Sequence, residues 1–283
     1  MAASSGKIEF EDADANKIQV SVPSYSYKTT IDLPFDWQKM DDGTWEGYDN
    51  GTSYDKRMCE CSFFLTVAEM ATFNDFFRTD GEGRGRDVTM KMNTDSGFFP
   101  FAPDKGDVGD FTVALTIKKP GKVGDAPFRY FKVGVIIHNT GAWPAYSAPA
   151  EVSEGNLTIG TVTNLRFPPA WFEPKSEYGE FVTIEQDSTS QWIDRSDNYD
   201  WYETSFNMVC NQSKTAALIA YLVDTARVNS FTTIPPGASY MFGRDKSATA
   251  TYTTKMIQDK IIITNDMHNR FSFGLNFNYI SKA

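Results

Sequence analysis

Few residues in this chain are of a type and spacing suited to chemistry. Cys59 and Cys61 stand two apart in Met58-Cys59-Glu60-Cys61-Ser62-Phe63, which puts both thiols on one side of a strand. Such a pair could begin a zinc site, but the remaining candidates, Cys210, His138 and His268, lack the ligand spacing that structural zinc requires. Three cysteines cannot close a disulfide framework, so reduced cysteines within a sheet are expected. Nucleophilic catalysis needs a base beside its Ser or Cys. His138 ends an apolar run, His268 sits in the turn-like Asn265-Asp266-Met267-His268-Asn269, and no Gly-x-Ser-x-Gly elbow precedes a helix. Glycoside hydrolysis needs two facing carboxylates. With 37 acidic residues many pairs are open and none is singled out.

The loops suggest binding more than they specify it. Asp80-Gly81-Glu82-Gly83-Arg84-Gly85-Arg86-Asp87 has glycines and arginines enough for a phosphate cradle. It follows a helical pattern and precedes a strand pattern, the reverse of the order that aims a helix N-terminus at an anion. A turn between elements is the expectation. Asp12-Ala13-Asp14-Ala15-Asn16 opens like a calcium loop but has Lys17 at the sixth place and Pro23 at the twelfth, where Gly and Glu are needed. Asp104, Asp107 and Asp110, spaced by Gly106 and Gly109, fit either a weak calcium site or a polar hairpin loop. The six tryptophans, Trp37, Trp45, Trp143, Trp171, Trp192 and Trp201, could stack on sugars or fill a core or subunit interface. Large amphipathic side chains are enriched at interfaces, which favours the second use. No catalytic, cofactor-binding or metal-ligating residue is assigned, and the expectation is a protein that is not an enzyme.

The elements behind these residues are mostly strands. Aromatics at 14%, 22 of them Phe, suit pleated, half-buried surfaces. The net charge of −10 argues against duplex DNA on the outer surface, which would need clustered Lys and Arg. It is compatible with a passage through which DNA slides without sticking. The N-terminal stretch has no apolar signal-peptide region and no apolar run reaches membrane-spanning length, so folding in a cytoplasm is expected.

One unit is written twice. Tyr54-Asp55 leads into a strand through Cys59 to Leu65; Thr66 and Glu69 then have the spacing of a capping box, and Met70, Phe73 and Phe77 form a helical stripe. In the second half Tyr199-Asp200 leads into a strand through Thr204 to Cys210, Ser213 is the expected N-cap, and Leu218, Tyr221 and Leu222 form the stripe. The offset stays at 145, from 199 − 54, 218 − 73 and 222 − 77. Each copy continues through a short strand, a Pro/Gly/aromatic loop, another strand, and a long alternating one, Phe128 to Ile137 and Phe271 to Ile280. In the last, Phe271, Phe273, Leu275, Phe277 and Tyr279 alternate with Ser272, Gly274, Asn276 and Asn278, which predicts one buried and one wet face. The Pro- and Ala-rich stretch Ala142-Trp143-Pro144-Ala145-Tyr146-Ser147-Ala148-Pro149-Ala150 marks the boundary. The predicted division is 1–142, a linker over 143–160, and 161–283.

The repeated pattern resembles the tail-tube fold of long-tailed bacteriophages, shared by tube, distal tail and minor tail proteins. The matching pieces are Tyr54 to Phe77 with Phe98-Phe99-Pro100-Phe101, Tyr199 to Leu222 with Pro235 to Phe242, and the closing Phe271-Ser272-Phe273-Gly274-Leu275-Asn276-Phe277. The resemblance implies two tandem β-sandwich or barrel domains, each with one flanking helix, whose sheets pair between subunits into a ring. With both halves of tube type, it implies a homotrimer giving a pseudo-sixfold ring, with a hexamer as the other possibility. The implied partners are the tail tube, the baseplate hub and other tail-tip proteins, with DNA passing through unbound and no membrane contact. The implied location is the virion tail, assembled in the host cytoplasm. The strands expected to build the ring interface or lumen carry Phe128, Val133, Val135, Phe271, Phe273, Asn276 and Asn278, the two asparagines facing the lumen. The alternative is a carbohydrate-binding β-sandwich adhesin; a glycoside-active enzyme and a capsid or scaffold protein are further rivals.

Overall fold

A computed structural model describes residues 6–23, 27–40, 45–51, 56–79, 87–93, 97–123, 130–166, 173–177, 181–186, 189–194, 199–235, 251–267 and 269–282. The chain is mostly β. Its first half runs β1 (Lys7–Glu11), β2 (Lys17–Ser21), β3 (Tyr27–Asp32), β4 (Phe35–Lys39), β5 (Trp45–Asp49), β6 (Lys56–Thr66), α1 (Val67–Asn74), β7 (Val88–Met92), β8 (Gly109–Ile117), β9 (Gly121–Val123) and β10 (Tyr130–Asn139). The second runs β11 (Leu157–Ile159), β12 (Val162–Leu165), β13 (Glu173–Glu177), β14 (Phe181–Gln186), β15 (Thr189–Asp194), β16 (Tyr199–Cys210), α2 (Gln212–Ala220), β17 (Phe231–Ile234), β18 (Tyr252–Met256), β19 (Lys260–Met267) and β20 (Arg270–Lys282).

Local sequence accounts for most of these elements. On β6 the residues Cys59, Cys61, Phe63 and Leu65 alternate inward, as a period of two requires. The strand stops where Thr66 caps α1: its hydroxyl accepts from the Glu69 N–H at 3.2 Å, while the Glu69 carboxylate accepts from the Thr66 N–H at 2.8 Å. Met70, Phe73 and Phe77 form the buried stripe, and the last turn widens into a π-helical one over Asp75–Thr79. α2 ends in the same way, through a π turn at Tyr221–Ala226. Its cap corrects the expectation: Asn211, not Ser213, accepts from the Lys214 N–H at 2.9 Å. Ser213 lies inside the first turn, where its hydroxyl donates to the Asn211 side chain. Both caps also keep the 145 offset, since 66 + 145 is 211.

The strand pairing recurs as well. In the first half β3 pairs with β6, β6 with β10, β10 with β8 and β9, β8 with β7, β7 with β1, and β1 with β2. In the second half β13 pairs with β16, β16 with β20, β20 with β18 and β19, β18 with β17, β17 with β11, and β11 with β12. Register follows suit. Phe63 stands opposite Val133 and Met208 opposite Phe273, so counterparts lie 145 apart on β6 and β16 (208 − 63) and 140 apart on β10 and β20 (273 − 133). One hydrophobic core forms around each half. They are linked, because β3 pairs with β19 on its other side and one sixteen-stranded antiparallel sheet runs through both.

Candidate assembly edges

The strands singled out from sequence carry two different surfaces. Val133 and Val135 are buried in the first core, Phe271 and Phe273 in the second. Their side chains hold the strands from inside and present nothing to a neighbour. Phe128 lies outside the described residues, as do His268 and the Gly-rich stretch 80–86. Asn276 is exposed on the opposite face of β20. Asn278, expected to be equally wet, is only 1% exposed, and neither polar atom of its side chain has a hydrogen-bond partner. Alternation placed it on the right face, but that face is covered.

The cover comes from the first half. Asn278 lies between Glu203 on β16 and Lys255 on β18. The Trp45 indole N–H donates to Glu203 at 2.8 Å, and Lys255 donates to the Trp45 carbonyl at 3.3 Å. Trp45 belongs to the hairpin β4–β5, which reaches across as an arm. Its root is fixed by Leu33, whose N–H donates to the Asp259 carbonyl at 2.8 Å, and by Trp37, whose indole donates to the Gln258 carbonyl at 3.2 Å. Its far strand is held by Asp49, which accepts two hydrogen bonds from Arg227, while that guanidinium lies 5.2 Å from the Phe35 ring centre. The Arg227 bonds hold the Asp49 carboxyl below its ordinary value. Gly47 leaves room for the Trp37 ring, which a Cβ would meet at 2.7 Å.

Beneath the arm, β3 zips along β19 from Tyr27 opposite Asn265 to Asp32 opposite Lys260. The buried Tyr27 hydroxyl accepts from the Phe99 N–H at 3.0 Å and from the Asn265 amide at 2.9 Å, so one oxygen ties β3, the 97–102 loop and β19 together. Burial pushes the phenol well above its ordinary pKa and keeps it neutral. The first half thus donates Ile31, Leu33, Phe35, Phe99 and Ala102 to the second core, with Phe99 edge-on to Phe271 at 5.5 Å.

The stretch between β10 and β11 closes the junction from outside. Trp143 packs 5.5 Å from Phe101 and under Arg57, which donates to the Phe101 carbonyl at 2.8 Å and to Asp104 at 2.6 Å. Tyr146 lies on Gly106, which has φ +83° and would place a Cβ 2.3 Å from the ring, and its hydroxyl accepts from Gln212. Glu151 accepts from Lys214, and Glu154 accepts from Arg270 and from the Asn211 N–H. Of the acidic loop, Asp104 is therefore committed to an ion pair. Trp37 and Trp45 are likewise committed to contacts between the halves, and Trp143 packs on the first core; Trp171 lies outside the described residues.

The cysteines sit inside these cores. Burial raises the Cys59 thiol far above its ordinary pKa and pushes Cys210 up to about 12, so both stay protonated and unreactive. Among the described residues no cluster of three or more His, Cys, Asp or Glu is arranged to hold a metal ion. What the described surface offers is edges. Among the described residues β13 pairs only with β16, and β9 only with β10. No protein-family model matches the chain, and no curated protein matches it.

Proposed function

We propose that this chain is a structural subunit of a phage tail, in the tube or at its distal end, that closes with its copies into a ring around a DNA passage. The observation that carries the reading is the unbroken sheet: one unit already joins the next inside a single chain through β3 and β19. A head-to-tail step made once within a chain and repeated between chains generates a ring where the rotation closes. Closure also hides strand edges that would otherwise template aggregation. Three copies of a two-unit chain give a pseudo-sixfold annulus, and the net charge of −10 suits a passage that must not trap a polyanion. The chain's work is then geometric, with the tube, hub and tip proteins stacked on its two faces and no catalytic role.

Negative-stain class averages of the purified protein, alone and mixed with its neighbouring tail proteins, test this. Annuli with sixfold features and the mass of three chains are the expected result. A protein that stays monomeric in both settings, or that binds glycans on an array without forming annuli, refutes it.

A further inference from the structure

The junction inside the chain is a template for one between chains. We infer that β13 and the β14–β15 hairpin of one copy seat on the open end of the first unit of the next copy, as β3 and the β4–β5 arm seat on the second unit within the chain. The inference rests on the ring reading and gives it a residue-level contact.

The donor side repeats. β13 pairs with β16 as β3 pairs with β6, with Glu173 opposite Ser205 where Lys28 is opposite Glu60, an offset of 145 (173 − 28 and 205 − 60). β14–β15 then forms a separate two-stranded hairpin, as β4–β5 does, and both open on a Phe opposite an Asp: Phe35 with Asp49, Phe181 with Asp194. The first arm carries a Trp–Gly cross-strand pair, Trp37 with Gly47; at the matching place the second carries Thr183 with Trp192. The tryptophan has changed strands and kept its row.

The acceptor side is uncovered where its counterpart is covered. On α2, which lies beside the 103–105 turn of the first half, Ser213 and Ala216 are buried; 145 residues earlier, Ala68 and Ala71 of α1 are exposed. Phe271 and Met256 are at most 1% exposed, whereas their counterparts Phe131 and Leu115 are only partly buried. These counterparts follow from register, since Leu115 faces Ile137 and Met256 faces Phe277, with 140 separating 137 from 277. An open pocket of about 480 Å³ in the first unit is lined in part by Met58 and His138. They are the counterparts of Glu203 (58 + 145) and Asn278 (138 + 140), the residues that Trp45 covers in the second unit. The seat is present and holds no arm of its own chain among the described residues.

Carrying the β3–β19 register across sets Glu173 opposite Gly121. Lys28 faces Thr264, and Thr264 and Gly121 are counterparts because they face Ser272 and Lys132, which are 140 apart. Charge favours the match: β13 brings Glu173 and Glu177 against one lysine, while the β8–β9 turn brings Lys118 and Lys119 and β9 brings Lys122, with Lys118 also paired to Glu60. Pro174 then falls opposite Pro120, a pair without an N–H between them. The junction between copies thus has fewer ladder bonds available than the one inside each copy, and the arm must supply more of the hold.

Mixing Gly121→Cys protein with Glu173→Cys protein under mild oxidation makes any disulfide between the new thiols intermolecular, and the native cysteines are buried. A two-chain band that is absent from either variant alone, and absent when Glu177→Cys replaces Glu173→Cys, is expected. Ala71→Arg, at an exposed helical site, should lose assembly with thermal stability unchanged. Annuli in the micrographs without the 121–173 band overturn this contact and leave the ring reading standing. The band with open filaments in place of annuli supports the contact and refutes the ring. Neither band nor annuli refutes both.

Discussion

Replacing Tyr27 with Phe removes one oxygen atom from the junction between the two halves. The ring survives the change, including its edge-on contact with Phe98 at 4.8 Å, so packing is nearly constant. What is lost is the acceptor for the Phe99 N–H and for the Asn265 amide, both at hydrogen-bonding distance in a site where Tyr27 is 5% exposed and Asn265 equally so. A buried donor left without its partner costs about 1–3 kcal/mol. Two such donors, less the desolvation saved on the hydroxyl itself, give a loss of about 2–4 kcal/mol. In a chain of this size that is a fall of roughly 4–16 °C in Tm, at about 2–4 °C per kcal/mol. Urea unfolding is the assay, because a shifted midpoint at constant slope reports stability without a change in exposed surface. Adding Asn265→Leu removes one of the two orphaned donors, so the double variant should lose less than the sum of the singles, with a coupling of about 1 kcal/mol. A loss for Tyr27→Phe below about 0.5 kcal/mol would refute the reasoning, since neither donor could then depend on that oxygen.

Asn211→Ala should destabilise by about 1 kcal/mol or more through loss of the α2 cap, and Ser213→Ala by less, compared by chemical denaturation. Gly106→Ala places a Cβ against Tyr146 and forces a side chain into a backbone conformation that glycine tolerates, so a loss of at least about 2 kcal/mol is expected by the same measure. The folded Asp49 carboxyl lies below its unfolded value of about 4, so the Arg227 clasp contributes stability above that pH and loses it as pH falls through the lowered folded value. Tryptophan fluorescence should therefore report release of the arm only under acid, and Asp49→Asn should remove that step. Cys59 and Cys210 should resist a thiol reagent at pH 8 in the folded protein and react once it is unfolded, because burial keeps both protonated.

Much of each unit was legible because its signals are contiguous. The Thr66–Glu69 box, the Met70–Phe73–Phe77 stripe and the inward row of β6 depend on neighbours within a turn or a strand. The repeat was legible for the same reason; its second cap was not, because Ser213 fits an N-cap by type and only the structure shows Asn211 taking the Lys214 N–H. The burial of Asn278 was not legible. Its place in the alternation is that of a solvent-facing residue, and what covers it is Trp45, more than two hundred positions earlier in the chain.

The partner chosen by β3 belongs to the same class. Tyr27-Lys28-Thr29-Thr30-Ile31-Asp32 reads as a half-buried strand, and that much the residues determine. Nothing in those six residues says that the strand will take β6 on one edge and β19 of the other unit on the other. Backbone N–H and C=O groups are the same in every strand, so an edge carries no address of its own. The address is written when Ile31, Leu33 and Phe35 find buried sites on the second unit and the Tyr27 hydroxyl meets Asn265, and those sites exist only after both units have folded.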